Sequence, residues 1–173
     1  MIQTPQVMIS EEEIRQKVAL LADQLTSEMT DDWVIIALLR GSFVFLADLI
    51  RQLHKKNIHP TVEFMTASSY QDGTTSQKLD ISDQLRTDVG GKNVLLLDDI
   101  FDTGKTLTAT REILLQKNAK QVRTMALIEK PDRHKTDLKL DYVGFIIEDK
   151  FIVGYGLDHA NKFRSLPYIG IID

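Results

Sequence analysis

The stretch "VLLLDDIFDTGKT", residues 94–106, decides how the fold of this chain is interpreted. It begins with four apolar residues, which favour a strand buried on both faces of a parallel sheet. It ends in Thr103-Gly104-Lys105-Thr106, at the predicted start of the next helix. Because the N-terminus of a helix offers free N–H groups and a positive dipole end, this ending predicts an anion site. Two carboxylates, Asp98 and Asp99, lie just before it.

Two common nucleotide motifs do not fit this stretch. An ATP-binding P-loop needs a glycine five positions before Gly104, where this chain has Asp99, whose charge would repel phosphates. The segment 154–159, "GYGLDH", lacks the third glycine of a dinucleotide site. The acids instead suit a phosphorylated pentose, because carboxylates accept hydrogen bonds from sugar hydroxyls and favour a divalent cation. The alternative is a strand-end turn whose acids cap a helix, a role open to Asp102.

Composition limits the class of protein. The chain has 173 residues, 43% hydrophobic and 27% charged, as expected for one soluble globular domain. A net charge of −4 argues against a nucleic-acid partner. The absence of cysteine excludes disulfides and thiolate zinc sites, and four scattered histidines predict no zinc site. The start of the chain lacks a signal-peptide pattern and the apolar runs are short, so we expect no membrane association and a cytoplasmic location.

Strand and helix patterns alternate along the chain. Ser10 followed by Glu13 predicts a capping box at the start of a helix. Further helices are predicted at 42–53 and 106–116, and strands at 33–39, 61–68, 94–97, 121–129, 142–147 and 151–156. This order predicts an α/β fold with a mostly parallel central sheet flanked by helices. Ligands then bind at the carboxyl ends of the strands.

Residues 94–106 closely resemble the phosphoribosyl pyrophosphate (PRPP) signature of the type I phosphoribosyltransferases. Three more segments extend the likeness to the hypoxanthine-guanine branch of that family. "LLRGSFVFLADL" (38–49) is similar to its pyrophosphate loop, "SSYQDGTTS" (68–76) to its mobile lid, and "DKFIVGYGLDHANKFRSLPYIG" (149–170) to its purine-binding end. The resemblance implies the type I phosphoribosyltransferase fold as a single domain over 1–173. Its core is expected roughly at 10–140, and a small purine-binding hood mainly at 141–173.

The resemblance also implies an activity. It indicates a Mg²⁺-dependent enzyme of purine salvage that moves the 5-phosphoribosyl group from PRPP to hypoxanthine, and to guanine as well, giving IMP or GMP and pyrophosphate. One alternative is a guanine- or xanthine-preferring enzyme. Another is an RNA-binding regulator on the same fold, although the acidic charge and the purine-binding end both count against it. Members of the family form dimers or tetramers, so the resemblance implies a homodimer or homotetramer.

The resemblance gives roles to the acids and the phosphate loop. Asp102 lies where the family places an acid near purine N7, which implies a general base. Asp98 and Asp99 are expected to hold the ribose hydroxyls, directly or through Mg²⁺, and Asp158 matches a further metal ligand. The expected 5′-phosphate site comprises Asp102, Thr103, Gly104, Lys105 and Thr106.

The expected pyrophosphate site comprises Leu39, Arg40, Gly41 and Arg164. The family often has a cis peptide at the position of Leu39–Arg40, and many members have lysine in place of Arg40. Ser69 and Tyr70 match the paired residues of the family lid.

The expected purine site comprises Lys130, Lys150, Phe151 and Ile152. By resemblance, Lys130 donates to the 6-oxo group, Phe151 stacks on the base and Ile152 contacts the base through its main chain. The residues alone also allow a solvated Lys130, core packing of Phe151, and a surface ion pair between the predicted ligands Asp158 and Arg164. His159 departs from the aromatic residue that the family often has there, and it is given no role.

Overall fold

The computed structural model of the chain describes residues 4–70, 78–82 and 85–172. The helices are α1 (Glu11–Leu25), α2 (Phe43–His54) and α3 (Lys105–Gln116), and a short 3₁₀ turn covers Pro131–Arg133. The strands are β1 (Gln6–Ile9), β2 (Val34–Leu39), β3 (Thr61–Tyr70), β4 (Lys78–Ser82), β5 (Asn93–Phe101), β6 (Gln121–Glu129), β7 (Tyr142–Ile146), β8 (Ile152–Val153) and β9 (Ile169–Ile171).

The strands form a large sheet and a small one. The large sheet has the order β4-β3-β2-β5-β6-β7, and every neighbouring pair in it is parallel except β3 and β4. The small sheet is antiparallel, with the order β1-β9-β8. The predicted α/β fold with a mostly parallel central sheet is therefore confirmed.

Both faces of the central strands are buried. Along β2, residues 34–38 are all buried, and along β5 residues 94–97 are fully buried. Side chains that alternate along these strands fall into two apolar clusters, one shared with α1 and α2 and one with α3. The short apolar runs therefore predicted their environment correctly, since a strand covered on both sides has no polar face.

The helix starts follow two different rules. At α1, Ser10 Oγ accepts a hydrogen bond from the Glu13 amide at 3.3 Å, and a Glu13 carboxylate oxygen accepts from the Ser10 amide at 2.8 Å, so the predicted capping box is confirmed. At α3, the N-cap residue is Gly104 with φ +80°, and within the described part of the chain no side chain caps it. Asp102 is therefore not a helix cap, and that alternative is wrong.

The C-terminal strand prediction was too long. Only Ile152 and Val153 form β8, because Gly154, Tyr155 and Gly156 all have positive φ and turn the chain. In contrast, β5 continues through Asp98 and Asp99 to Phe101, beyond the apolar run that predicted it. Over the described ranges, no helix is both long and apolar enough to span a membrane.

Candidate active site

The acidic pair, Asp98 and Asp99, lies near the carboxyl end of β5. Asp99 is buried and Asp98 is half-buried, and each carboxylate accepts a hydrogen bond from the next backbone amide, at 2.9 Å for Asp98 and 3.0 Å for Asp99. Burial raises the pKa of the Asp98 carboxyl well above its usual range, and the charge of Asp99 raises it further. Burial also raises the pKa of Asp99, an effect that hydrogen bonds and the charge of Arg164 offset only in part. The pair therefore favours hydroxyl donors or a cation beside it.

A cavity of about 240 Å³ opens at the N-terminus of α3, next to the acids. Asp98, Asp102, Thr103, Gly104 and Thr106 contribute to its wall. Gly104 is required here, because a β-carbon would lie 2.4 Å from Thr136 Oγ1 and its φ of +80° disfavours other residues. The result is a small pocket at a helix start, where backbone amides can donate to an anion.

The loop after β2 is held against the acids. The Leu39–Arg40 peptide is cis, as the resemblance led us to expect. A β-carbon on Gly41 would lie 1.7 Å from Asp99 Oδ2, so this loop contacts the acid directly. On its other side, a β-carbon on Gly156 would lie 2.0 Å from the Gly41 carbonyl oxygen. The loop is therefore enclosed between β5 and the turn after β8.

A third group of residues lies at the end of β6 and the start of β8. Lys130 is buried, and its Nζ donates to the Lys150 carbonyl oxygen at 2.6 Å and lies 3.5 Å from Asp149 Oδ1. Phe151 is 53% exposed, so it does not pack in the core as the alternative proposed. Its ring meets His159 edge to face, with centroids 5.3 Å apart. An exposed aromatic face beside a buried amine suits a flat, polar ring.

Comparisons with known proteins identify the family of the chain. Residues 8–160 match the phosphoribosyl transferase domain family. The chain belongs to the phosphoribosyltransferase family. It is 43% identical to the hypoxanthine phosphoribosyltransferase of Escherichia coli (strain K12), over 96% of this chain and 94% of that one. It is 42% identical to the hypoxanthine-guanine phosphoribosyltransferase of Bacillus subtilis (strain 168), over 96% and 92%.

A solved structure is similar over the same length. The hypoxanthine-guanine phosphoribosyltransferase of Bacillus anthracis matches with a TM-score of 0.91 and 40% identity, covering 99% of this chain and 100% of that one. The type I phosphoribosyltransferase fold expected from the sequence is thus confirmed.

Asp158 and Arg164 of this phosphoribosyltransferase are paired with each other. Arg164 Nη2 lies 2.7 Å from Asp158 Oδ1, and Nη1 donates to the Gly156 carbonyl oxygen at 2.7 Å. Asp158 also accepts a hydrogen bond from the Asn161 amide at 2.8 Å. The ion pair given as the alternative is present, and the pair lies beside the turn that covers the loop at Gly41.

Two residues of this site escaped the sequence analysis. Arg133 donates to both carboxylate oxygens of Asp102, at 2.9 and 3.4 Å, and Asp149 accepts from Arg133 at 3.4 Å. The only signal was their position, since Arg133 follows the end of β6 and Asp149 precedes β8. An arginine in a polar turn is common, so position alone did not identify a contact with Asp102.

The predicted lid is only partly within the described residues. The backbones of Ser69 and Tyr70 lie in β3 and pair with Leu79 and Lys78 of antiparallel β4. The remainder of the predicted lid, residues 71–76, lies outside the described residues.

Proposed function

We propose that this chain transfers the 5-phosphoribosyl group of PRPP to hypoxanthine or guanine and releases pyrophosphate. Family membership and the names of the relatives support the reaction class. The observation that carries the proposal is the contact between Gly41 and Asp99. In PRPP the pyrophosphate is bonded to the ribose, so a site for it needs a pyrophosphate loop and a ribose-binding acid in direct contact.

PRPP would bind across three neighbouring loops. The 5′-phosphate would occupy the cavity at Gly104, meeting the amides and hydroxyls of segment 103–106 together with Asp102. The ribose hydroxyls would donate to Asp98 and Asp99. Pyrophosphate would meet the backbone of segment 39–41, with Arg164 nearby, a role supported by the charge that Arg164 exerts on Asp99.

The donor set suits Mg²⁺. This ion binds oxygen ligands, keeps several waters, and is commonly held by one or two carboxylates plus phosphates of the substrate. Asp98 and Asp99 provide such carboxylates, and a cation beside them would offset the burial that raises the pKa of both acids, a direction that supports the proposal. Over the described ranges, no three acids or histidines cluster into an all-protein cage, which agrees with a site completed by substrate. Asp98 and Asp99 would hold the ion, which would supply positive charge to offset that of the pyrophosphate, and Asp158 could join them only after leaving Arg164.

The purine would lie against Phe151, which leaves half of its surface free. Lys130 would donate to the 6-oxo group, and Lys150 and the main chain of Ile152 would border the other side of the base. An amine donor discriminates against adenine, whose 6-amino group also donates, and such a mismatch costs ~1–3 kcal/mol.

In the transfer step, the bond from C1′ to pyrophosphate breaks and purine N9 forms the new bond to C1′. The proton on N7 passes to a carboxylate oxygen of Asp102. The protein positions the reactants and stabilises charge on the leaving group, and the enclosed loop at Gly41 presents its backbone there. Ser69 and Tyr70 would belong to a lid that excludes water from the cationic sugar.

The arrangement of the whole chain is also proposed. We infer a single domain over 1–173, with its core in about 10–140 and the purine-binding hood mainly in 141–173. The small sheet supports a separate hood, although β1 joins it and β7 pairs within the large sheet. We propose a homodimer or homotetramer, as the family resemblance implies, and sedimentation would test it. The absence of cysteine supports a cytoplasmic location.

The direct test is to incubate the protein with PRPP, Mg²⁺ and one nucleobase at a time, and to separate the products by chromatography. We expect IMP from hypoxanthine and GMP from guanine, with xanthine as the comparison for preference at the 2-position. Product from adenine, uracil or orotate alone would contradict the proposal.

A further inference from the structure

Arg133 donates two hydrogen bonds to the Asp102 carboxylate. Its Nε lies 2.9 Å from Oδ1 and its Nη2 lies 3.4 Å from Oδ2, which is the forked geometry that arginine forms with carboxylates. The two side chains are 46% and 36% exposed, so the pair contributes little to folding stability. The pair instead acts on geometry, because the two hydrogen bonds fix the plane of the Asp102 carboxylate.

Arg133 also connects Asp102 to the proposed purine site, through Asp149. Arg133 Nη1 lies 3.4 Å from Asp149 Oδ2, and the other oxygen of Asp149 lies 3.5 Å from Lys130 Nζ. The four side chains alternate in charge, in the order Asp102, Arg133, Asp149, Lys130. The ends of this series are the two groups that we assign to purine N7 and to the 6-oxo group.

The backbone around Arg133 is tied to the phosphate loop. The Lys130 amide donates to the Phe101 carbonyl oxygen at 3.0 Å, and the Lys135 amide donates to the Thr103 carbonyl oxygen at 2.9 Å. These bonds lie on either side of Arg133 and of Asp102, so the two short segments are held in register. The fold therefore holds the backbones of Arg133 and Asp102 close together, and the fork forms across this fixed separation.

We propose that Arg133, with Asp149, is a positioning residue that holds Asp102 and Lys130 at a fixed separation, so that N7 and the 6-oxo group of one purine are engaged together. This inference rests on the proposed function. N7 and the 6-oxo oxygen lie side by side on the same edge of a 6-oxopurine, where they can be contacted as a pair. Asp102 is an acceptor and Lys130 is a donor, and they lie on separate loops. They need a rigid link to match such an edge, and the alternating ion pairs through Arg133 and Asp149 supply one.

The test is a double-mutant cycle between Arg133→Met and Asp102→Asn, measured with hypoxanthine and saturating PRPP. We expect Arg133→Met alone to lower kcat roughly tenfold to a hundredfold, because a misplaced base loses most of its contribution. The KM for PRPP should change less than about twofold, since Asp102 is the one PRPP-assigned group that Arg133 contacts among the described residues. In the Asp102→Asn background, Arg133→Met should have almost no further effect.

Conservative variants separate positioning from charge. Arg133→Lys keeps the charge but cannot form the fork, so it should recover only part of kcat. Asp149→Asn should raise the KM for hypoxanthine and lower kcat less than Arg133→Met does. Added guanidinium should partly restore Arg133→Met, because the site is open to solvent.

The matched control is Arg15→Met, which removes a fork of the same kind with Glu12 on the exposed face of α1. It should leave kcat unchanged, and both arginine variants should keep the melting temperature within about 2 °C. Wild-type kcat in Arg133→Met, or an undiminished loss in the Asp102→Asn background, would overturn the inference. Failure of the wild-type protein to use hypoxanthine would instead overturn the proposed function. Full activity in Asp102→Asn would exclude Asp102 as the general base.

Discussion

Gly41 lies directly against Asp99: a β-carbon on Gly41 would stand 1.7 Å from Asp99 Oδ2. The loop after β2 and the acids of β5 are thus in contact, although about 60 residues separate them in sequence. The parallel pairing of β2 with β5 causes this, because it brings the carboxyl ends of the two strands to the same edge. No larger residue fits at position 41 without moving the loop or the carboxylate.

Gly41→Ala should therefore damage PRPP binding and leave the fold intact. We expect kcat/KM for PRPP to fall by about a hundredfold or more, because an atom must shift by an ångström or more at the reacting groups. Steady-state kinetics with varied PRPP would measure this. Gly90→Ala is the control, since its β-carbon would meet the exposed Asp88 side chain at 3.2 Å, far less closely. Equal kinetics in the two variants would contradict the assigned pyrophosphate loop.

Asp98→Asn should stabilise the protein while abolishing turnover. The folded-state pKa of Asp98 is raised by burial and by Asp99, so the contribution of this one acid to stability is most favourable below about pH 4 and declines as pH rises toward the raised value. Removing the charge should add on the order of 1–2 kcal/mol at pH 7, or a few degrees in melting temperature.

Thermal melts in the presence of a chelator, at pH 7 and near pH 4, would test this. The gap between Asp98→Asn and wild type should shrink at the lower pH, where the wild-type acid is protonated. A less stable variant at pH 7 would show that the acid does not carry an unfavourable charge. Retained turnover would separately exclude Asp98 from ribose and metal binding.

Lys130→Met should weaken the use of 6-oxopurines. The buried amine donates at 2.6 Å to the carbonyl oxygen of Lys150, the residue that precedes Phe151 in the chain. Losing it should lower kcat/KM for hypoxanthine by about tenfold to a hundredfold, while the KM for PRPP stays within about twofold. Lys139→Met, at an exposed position, serves as the control. Unaltered preference for hypoxanthine over adenine would contradict the 6-oxo contact.

Tyr155→Phe should lower stability rather than chemistry. The buried hydroxyl donates to Asp48 Oδ2 at 2.5 Å and ties the turn after β8 to α2, and burial raises the pKa of this tyrosine. Its loss should reduce the free energy of unfolding by about 1 kcal/mol in urea titrations. The matched variant Tyr168→Phe removes a hydroxyl that is 3.5 Å from the Pro5 carbonyl oxygen and should cost less than about 0.5 kcal/mol. An equal loss of unfolding free energy in both variants would show that the hydrogen bond to Asp48 stabilises the fold no more than the hydroxyl of Tyr168 does.

The central strands were predictable because they are buried on both faces. A run such as residues 34–39 has no polar position, and the next apolar run, 94–97, has the same property. The extension of β5 to Phe101 was not predictable, because Asp98 and Asp99 are acids that remain in the strand through pairing with β6. The turn at Tyr155 was also missed, because a left-handed tyrosine follows from packing and not from local preference.

The candidate site could be proposed from the sequence where chemistry and position coincide in one segment. Residues 98–106 combine acids with a helix start, so the sequence alone pointed to a phosphorylated sugar. The contact between Arg133 and Asp102 depends on the register of two separate loops, and the ion pair of Asp158 with Arg164 depends on a turn of irregular backbone. Neither pattern has a spacing that local sequence rules describe.

The most direct measurement is a crystal structure of the protein with IMP. We expect the 5′-phosphate on the amides of segment 103–106, with both ribose hydroxyls within hydrogen-bonding distance of Asp98 or Asp99, or joined to them through one Mg²⁺. A nucleotide whose phosphate lies elsewhere, or whose ribose faces away from the two acids, would contradict it.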